Sequence, residues 1–289
     1  MEHLATYAKR LLPRWVKGLL RFLLVPRSIR QTERDLGTFV LEKTRDFSMR
    51  RRGRPESLQS SILKDCILRQ KCLSEMSEAH QFLQTALMPD YRQNLYEYYR
   101  QQQYLILLVF LSYPFRGPGC LASHIRPYIA ASSELSSMRI LDYGAGLAFG
   151  LIHLMRTCPG KVASITIVDL DLIHTDLVEY ILSDIRSDTE IAVMRVTDPE
   201  VILDFGKRTF NVIYGKDVFE HLTEPERHLR SMLARAEDSC HCYFDFSDHG
   251  AEYLQHVHPQ LSHLPEILRE FSFRSDGNTA GLSKFVRTA

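Results

Sequence analysis

The 289-residue sequence has no apolar run long enough to span a bilayer, no zinc-ribbon or disulfide spacing among its six cysteines, no internal repeat and no low-complexity tract. Each absence excludes a class of protein. A spanning helix needs about 20 consecutive apolar residues, and the run at 104–115 falls short of that and reads as a buried helix. Near the N-terminus the longest uninterrupted run is 22–25, with no small-residue cleavage site after it, so a signal peptide is not expected. Cys66, Cys72, Cys120, Cys158, Cys240 and Cys242 are scattered, which favours a reducing compartment and hence a cytoplasmic protein. Cys240 and Cys242 lie two apart in an apolar run that reads as a strand, so both face one side and read as buried thiols rather than metal ligands.

Net charge is nearly absent, at +1, but it is unevenly spread. Residues 1–54 carry fourteen Lys/Arg against five Asp/Glu, a net of +9, which leaves −8 for the remainder. Such a front suits an anionic surface, whether membrane, nucleic acid or an acidic partner. Within it Leu4, Ala8, Leu11, Trp15, Leu19 and Phe22 recur at helical spacing, with Arg10, Arg14, Lys17 and Arg21 on the opposite side. The pattern predicts a basic amphipathic helix over 1–24, started or kinked at Pro13. Two roles stay open for it: packing on the protein's own core or on a second subunit in a homodimer, and peripheral docking on the inner face of an anionic membrane. Nucleic acid is the less favoured partner.

From residue 1 to 131 the apolar spacing is helical throughout, with breaks expected at Pro26, 50–55, 88–90 and 116–119. After the serine-rich stretch 132–137 the pattern changes, and 136–289 reads as a separate domain. Strands are expected at 139–141, 164–168, 191–196, 210–214 and 241–246, with helices between them. That alternation predicts an α/β, doubly wound, mostly parallel sheet. Two further strands, 271–274 and 282–287, joined by a turn containing Asp276-Gly277-Asn278, make seven and close the sheet with an antiparallel hairpin.

The segment 139–150 is a strand running into a glycine turn, Asp142-Tyr143-Gly144-Ala145-Gly146, and then a helix beginning near Leu147. A dinucleotide fingerprint would need a small residue where Phe149 stands, which disfavours an NAD-dependent oxidoreductase. Asp142, two places before the first glycine, would repel a pyrophosphate and suits a ligand with a cationic end. The segment resembles the first motif of class I S-adenosylmethionine-dependent methyltransferases, with Ala148 at the family's frequent third glycine. The resemblance implies a Rossmann-like fold, S-adenosylmethionine as cofactor, and a turn 142–146 that holds its methionine portion.

Asp169 ends the second strand, where a carboxylate can accept both hydroxyls of a ribose; similar methyltransferases place their ribose acid there. Asp171 is the rival, with a helix N-cap as its alternative role. Asp198, after the third strand, reads either as the polar residue facing the adenine amine or as an N-cap ahead of Pro199. The run 210–222 resembles the D-V-x-E-H-L region that follows strand four in many small-molecule methyltransferases, including the O-methyltransferases of coenzyme Q biosynthesis; here it is Asp217-Val218-Phe219-Glu220-His221-Leu222. It implies Asp217, Glu220 and His221 as catalytic candidates, with His221 as general base; the bland alternative is that Glu220 and His221 only organise the loop. Behind it Thr223-Glu224-Pro225-Glu226 has capping-box spacing. Small-RNA 2′-O-methyltransferases carry an E-x-x-E-H pattern and a later histidine that hold a divalent metal. Asp217 replaces the first Glu here and His249, His256 and His258 compete for the later position, so no metal site is assigned.

The reading is methyl transfer to an oxygen or nitrogen of a small, lipophilic or lipid-linked acceptor. The absence of an N/D-P-P-Y/F motif speaks against methylation of DNA bases and of protein glutamine. The alternative is a non-catalytic protein of the same fold that binds through its basic N-terminal helices.

Overall fold

The computed structural model describes residues 27–50, 96, 99–100, 103–115, 119–185, 188–198, 200–246, 260–279 and 281–287. The amphipathic segment 1–24, the break at 88–90 and His249, His256 and His258 lie outside them. Seven strands form one sheet: β1 (Met138–Tyr143), β2 (Val162–Leu170), β3 (Glu190–Val196), β4 (Phe210–Gly215), β5 (Ala236–Phe244), β6 (Phe273–Thr279) and β7 (Leu282–Arg287). Their order is β3-β2-β1-β4-β5-β7-β6. The first five run parallel, and β7 pairs antiparallel with both β5 and β6.

Helices cover both faces because the strands are apolar on both. On one face α1 (Arg27–Arg50), α2 (Gln103–Ser112), α3 (Ala122–Glu134), α4 (Phe149–Thr157) and α5 (Ile173–Ile185) bury Ile140, Ile165, Ile167 and Val212. On the other, α6 (Pro225–Leu233) and α7 (Leu264–Glu270) bury Leu141, Val168, Ile213 and Phe244. Cys240 and Cys242 are fully buried in this second layer, their Sγ atoms 3.9 Å apart. Leu107 and Leu111 of α2 are core residues, so the apolar run around them is the buried helix its length implies. Among the described residues no helix is long and apolar enough to cross a membrane.

Several local expectations are corrected. The closing hairpin turns at Gly281 rather than at 276–278, because the register slips between Ser275 and Asn278 and takes Asp276-Gly277 up as a bulge within β6. Strand β5 begins at Ala236, five residues early. The capping box does not form: the Thr223 hydroxyl and N–H both go to the Glu200 carboxylate, and Glu224 is the N-cap of α6. Leu229, Met232 and Leu233 do face the core.

α1 is tied to the sheet domain by one buried acid. The Glu33 carboxylate, 2 % exposed, accepts the N–H groups of Gly119 and Leu121, each at 2.8 Å. These donors precede the first turn of α3, where backbone N–H groups have no partner in the helix and the dipole favours negative charge. Gly37 lets the same face of α1 sit on Pro114, whose Cβ would lie 2.5 Å from an added side-chain carbon.

Candidate active site

Strand order reverses between β1 and β4, and the crevice beyond the carboxyl ends of these strands is where open α/β sheets bind ligands. The glycine turn lies there. Gly144 donates its N–H to the Val168 carbonyl at 2.8 Å, which prolongs the β1–β2 pairing, and at φ +72° it leaves room for Val218, which an added Cβ would meet at 2.7 Å. Gly146 follows at φ +55° with the Phe110 ring of α2 packed against it. Ala148, in the left-handed region at φ +46°, delays α4 to Phe149, two residues later than the sequence pattern suggests.

A side-chain carbon in that conformation costs about 1 kcal/mol. Ala148→Gly should therefore raise stability by roughly that amount, a gain of about 2–4 °C in Tm. Thermal or urea unfolding checks this, and an unchanged or lower midpoint would show that Ala148 is not strained.

Two acids flank the turn on the same face of the sheet. Asp169 is 12 % exposed; its Oδ2 accepts the Gly146 N–H at 2.6 Å, its Oδ1 accepts the Leu170 N–H at 2.7 Å, and His174 Nε2 lies 3.3 Å from Oδ1. Asp142 is 1 % exposed. Its Oδ2 accepts the Tyr128 hydroxyl at 2.7 Å, and its Oδ1 has no partner among the described residues. Burial pushes the Asp142 carboxyl up to about 7, Asp169 adds to the rise, and the Tyr128 bond opposes it. Tyr143 alternates to the other face, where its hydroxyl shares a 2.6 Å hydrogen bond with His228 Nδ1, so only its backbone borders the turn. Ala145 is half-buried beside it, and its carbonyl accepts the Ala148 N–H.

Beyond β4, Asp217 stands at φ +52° and ion-pairs with Lys216. Burial alone would raise the Asp217 carboxyl, but Lys216, His124 and His221 together hold it below the ordinary carboxylate range. Glu220 points inward at 1 % exposure, and burial, reinforced by Asp217 and Asp245, lifts it to about 7. His221 is half-exposed on the 3-10 turn Phe219–His221. Asp198 caps no helix: its Oδ1 takes the Glu200 N–H at 2.9 Å in a local turn, and the chain runs on without regular structure to β4. Asp171 does not cap α5 either. Gln103 Oε1 takes the Ile173 N–H, and Asp171 turns outward to Arg195. Among the described residues no group of three or more His, Cys, Asp or Glu is placed to hold a metal ion.

The structure brings to the site five residues to which the motifs give no role. Tyr128 and His124, four apart on α3, face the ends of β1 and β4; Tyr214, the register partner of Asp142, stacks on Tyr128 with ring centroids 5.1 Å apart. Phe110 lies edge-on to His174 at 5.4 Å. The i,i+4 spacing of His124 and Tyr128 was a usable signal. Without the register of β4 on β1, nothing assigned that pair to this crevice.

The strand order and the terminal antiparallel hairpin are those of a Rossmann-like methyltransferase fold, with the glycine turn at the switch point. Residues 116–283 match a family model described as a methyltransferase domain, and the chain belongs to that family. No curated protein sequence matches it. Solved structures similar to it include a SAM-dependent methyltransferase from Aquifex aeolicus (15% identical, covering 57% of this chain and 90% of that one, TM-score 0.42). The N-methyltransferase NodS from Bradyrhizobium japonicum WM9 is 17% identical, covering 56% and 91%, with a TM-score of 0.42. The mitomycin 7-O-methyltransferase MmcR is 15% identical, covering 68% and 60%, with a TM-score of 0.48.

Proposed function

We propose that the protein transfers a methyl group from S-adenosylmethionine to an oxygen or nitrogen of a small, lipophilic or lipid-linked acceptor, and that residues 142–146 and Asp169 hold the cofactor. The observation that carries this reading is the Asp142 carboxylate oxygen, buried beside the glycine turn with no partner among the described residues. A buried acceptor left unpaired costs about 1–3 kcal/mol, and a ligand ammonium would satisfy it. The residues present therefore fit the cofactor. Asp169 would accept the ribose hydroxyls and the backbone of 144–146 would border the methionine portion. When bound, the cofactor supplies an electrophilic methyl group on a sulfonium.

The chain's own share is alignment, exclusion of water and removal of the acceptor's proton. Asp217, Glu220 and His221 shape the acceptor side. Glu220 is buried within the 3-10 turn, while two imidazoles, His221 and His124, act on Asp217. The acceptor is to be identified by mass spectrometry of small-molecule extracts from cells with and without the protein. A methylated species that appears only with active protein supports the reading, whereas identical extracts, or tight binding of NAD in place of S-adenosylmethionine, would overturn it.

The Asp142 carboxyl gives this reading a pH signature. Because burial raises it to about 7, the free protein holds a proton there at lower pH. A cationic ligand favours the ionised form, so binding below about pH 7 must expel that proton. Affinity for S-adenosylmethionine should rise from pH 5.5 to 7 and level off above, with up to one proton released per ligand near pH 6. Calorimetry in two buffers of different ionisation enthalpy reads this release, and Asp142→Asn should abolish it. A pH-independent affinity in the wild type would remove Asp142 from the cationic end.

A further inference from the structure

We propose that His124 is a catalytic residue that takes the proton of the methyl acceptor through Nε2, with Tyr214 as the positioning residue that fixes its ring. The inference rests on the proposed site and deepens it. His124 is on α3, one turn before Tyr128 and on the same face, so one helix supplies both the partner of Asp142 and a group at the end of β4. Its Nδ1 lies 3.3 Å from the Tyr214 hydroxyl, which lies 3.4 Å from the Ser123 carbonyl. The proposed tautomer is the Nδ1–H form, in which Tyr214 accepts from His124 and donates its own proton to the Ser123 carbonyl. That tautomer leaves a lone pair on Nε2, which makes no hydrogen bond with any described residue, and His124 is only partly buried.

The groups facing the ring are Tyr214 of β4, Tyr113 of the turn after α2 at a centroid distance of 6.2 Å, and Lys216 and Asp217 of the loop beyond β4. Burial and Lys216 push His124 down to about 4 against the pull of Asp217, so the imidazole is neutral at working pH. Low proton affinity is no handicap here. Where the acceptor is a hydroxyl, its oxygen becomes strongly acidic as its lone pair bonds to the methyl carbon and the carbon–sulfur bond breaks, and its proton passes to Nε2.

Asparagine keeps an N–H where Nδ1 stands but has no counterpart of Nε2. With methyl-labelled S-adenosylmethionine and a small-molecule extract of cells lacking the protein as acceptor, His124→Asn should lower transfer by about 10²-fold or more. Cofactor Kd should stay within about twofold. In His124→Ala, added imidazole should recover at least about tenfold of the loss. Independently of any acceptor, the His124 imidazole resonance, identified by its absence in His124→Asn, should move when S-adenosylmethionine is added, while that of His228, buried on the opposite face, stays put. Cofactor binding with a motionless His124 resonance, or undiminished transfer by His124→Asn, overturns the proposal and leaves the proposed function standing. Failure of the wild type to bind the cofactor overturns both.

Discussion

Asp169→Ala is expected to weaken S-adenosylmethionine binding by about 10²–10⁴-fold. Two ribose hydroxyls would lose a charged acceptor, each such bond contributing about 1.5–3 kcal/mol, and every 1.4 kcal/mol is tenfold in Kd. The same carboxylate holds the Gly146 N–H at 2.6 Å, so part of the loss would come from a loosened turn. Asp169→Asn separates the two contributions: its amide oxygen still accepts from Gly146, but the site loses its charge and one acceptor. Calorimetry should rank the affinities as wild type, then Asn, then Ala. Equal affinities, or a loss of binding that only follows a fall in Tm, would show that Asp169 serves the turn and not the ligand.

Glu33→Ala should lower stability by about 3 kcal/mol and Tm by roughly 6–12 °C. The two N–H groups it serves, on Gly119 and Leu121, would be left without their charged acceptor, one of them at the fully buried Leu121. Glu33→Gln keeps one acceptor oxygen and should fall between. Amide hydrogen exchange at Gly119 and Leu121 would localise the effect, which should appear there before it appears in β1. A loss under 1 kcal/mol would mean that α1 is held by its apolar face alone.

The sheet was legible because it follows from periodicity and punctuation. Each of the seven expected strands has a counterpart in the sheet, with β5 and β6 displaced along the chain, and the glycine turn announces the switch point. The misplaced boundaries have local causes. The bulge at Asp276-Gly277 depends on pairing with β7, and the late start of α4 depends on a left-handed alanine; neither leaves a mark in a pattern of apolar residues. Within the site, Asp142 and Asp169 could be read from strand ends, because position on a strand fixes direction. Glu220 could be named but not oriented, since a 3-10 turn gives no periodicity to separate a buried acid from an exposed one. His124, Tyr128 and Tyr214 were out of reach for another reason. Their meeting is a tertiary event between a helix before β1 and a strand some ninety residues on, and no motif spans it.

The Glu33 contact also sets an order of events in folding. The acid and the amides it serves are separated by 86 and 88 residues, so closing them together removes chain entropy that grows with the logarithm of that length. The N–H groups just ahead of α3, the helix that presents Tyr128 and His124, lack their charged acceptor until α1 has come back across the chain. Nascent chain that has left the ribosome only as far as residue 115 therefore has α1 waiting without its partner. Contacts of such high sequence separation form slowly, so the crevice should become competent late in folding.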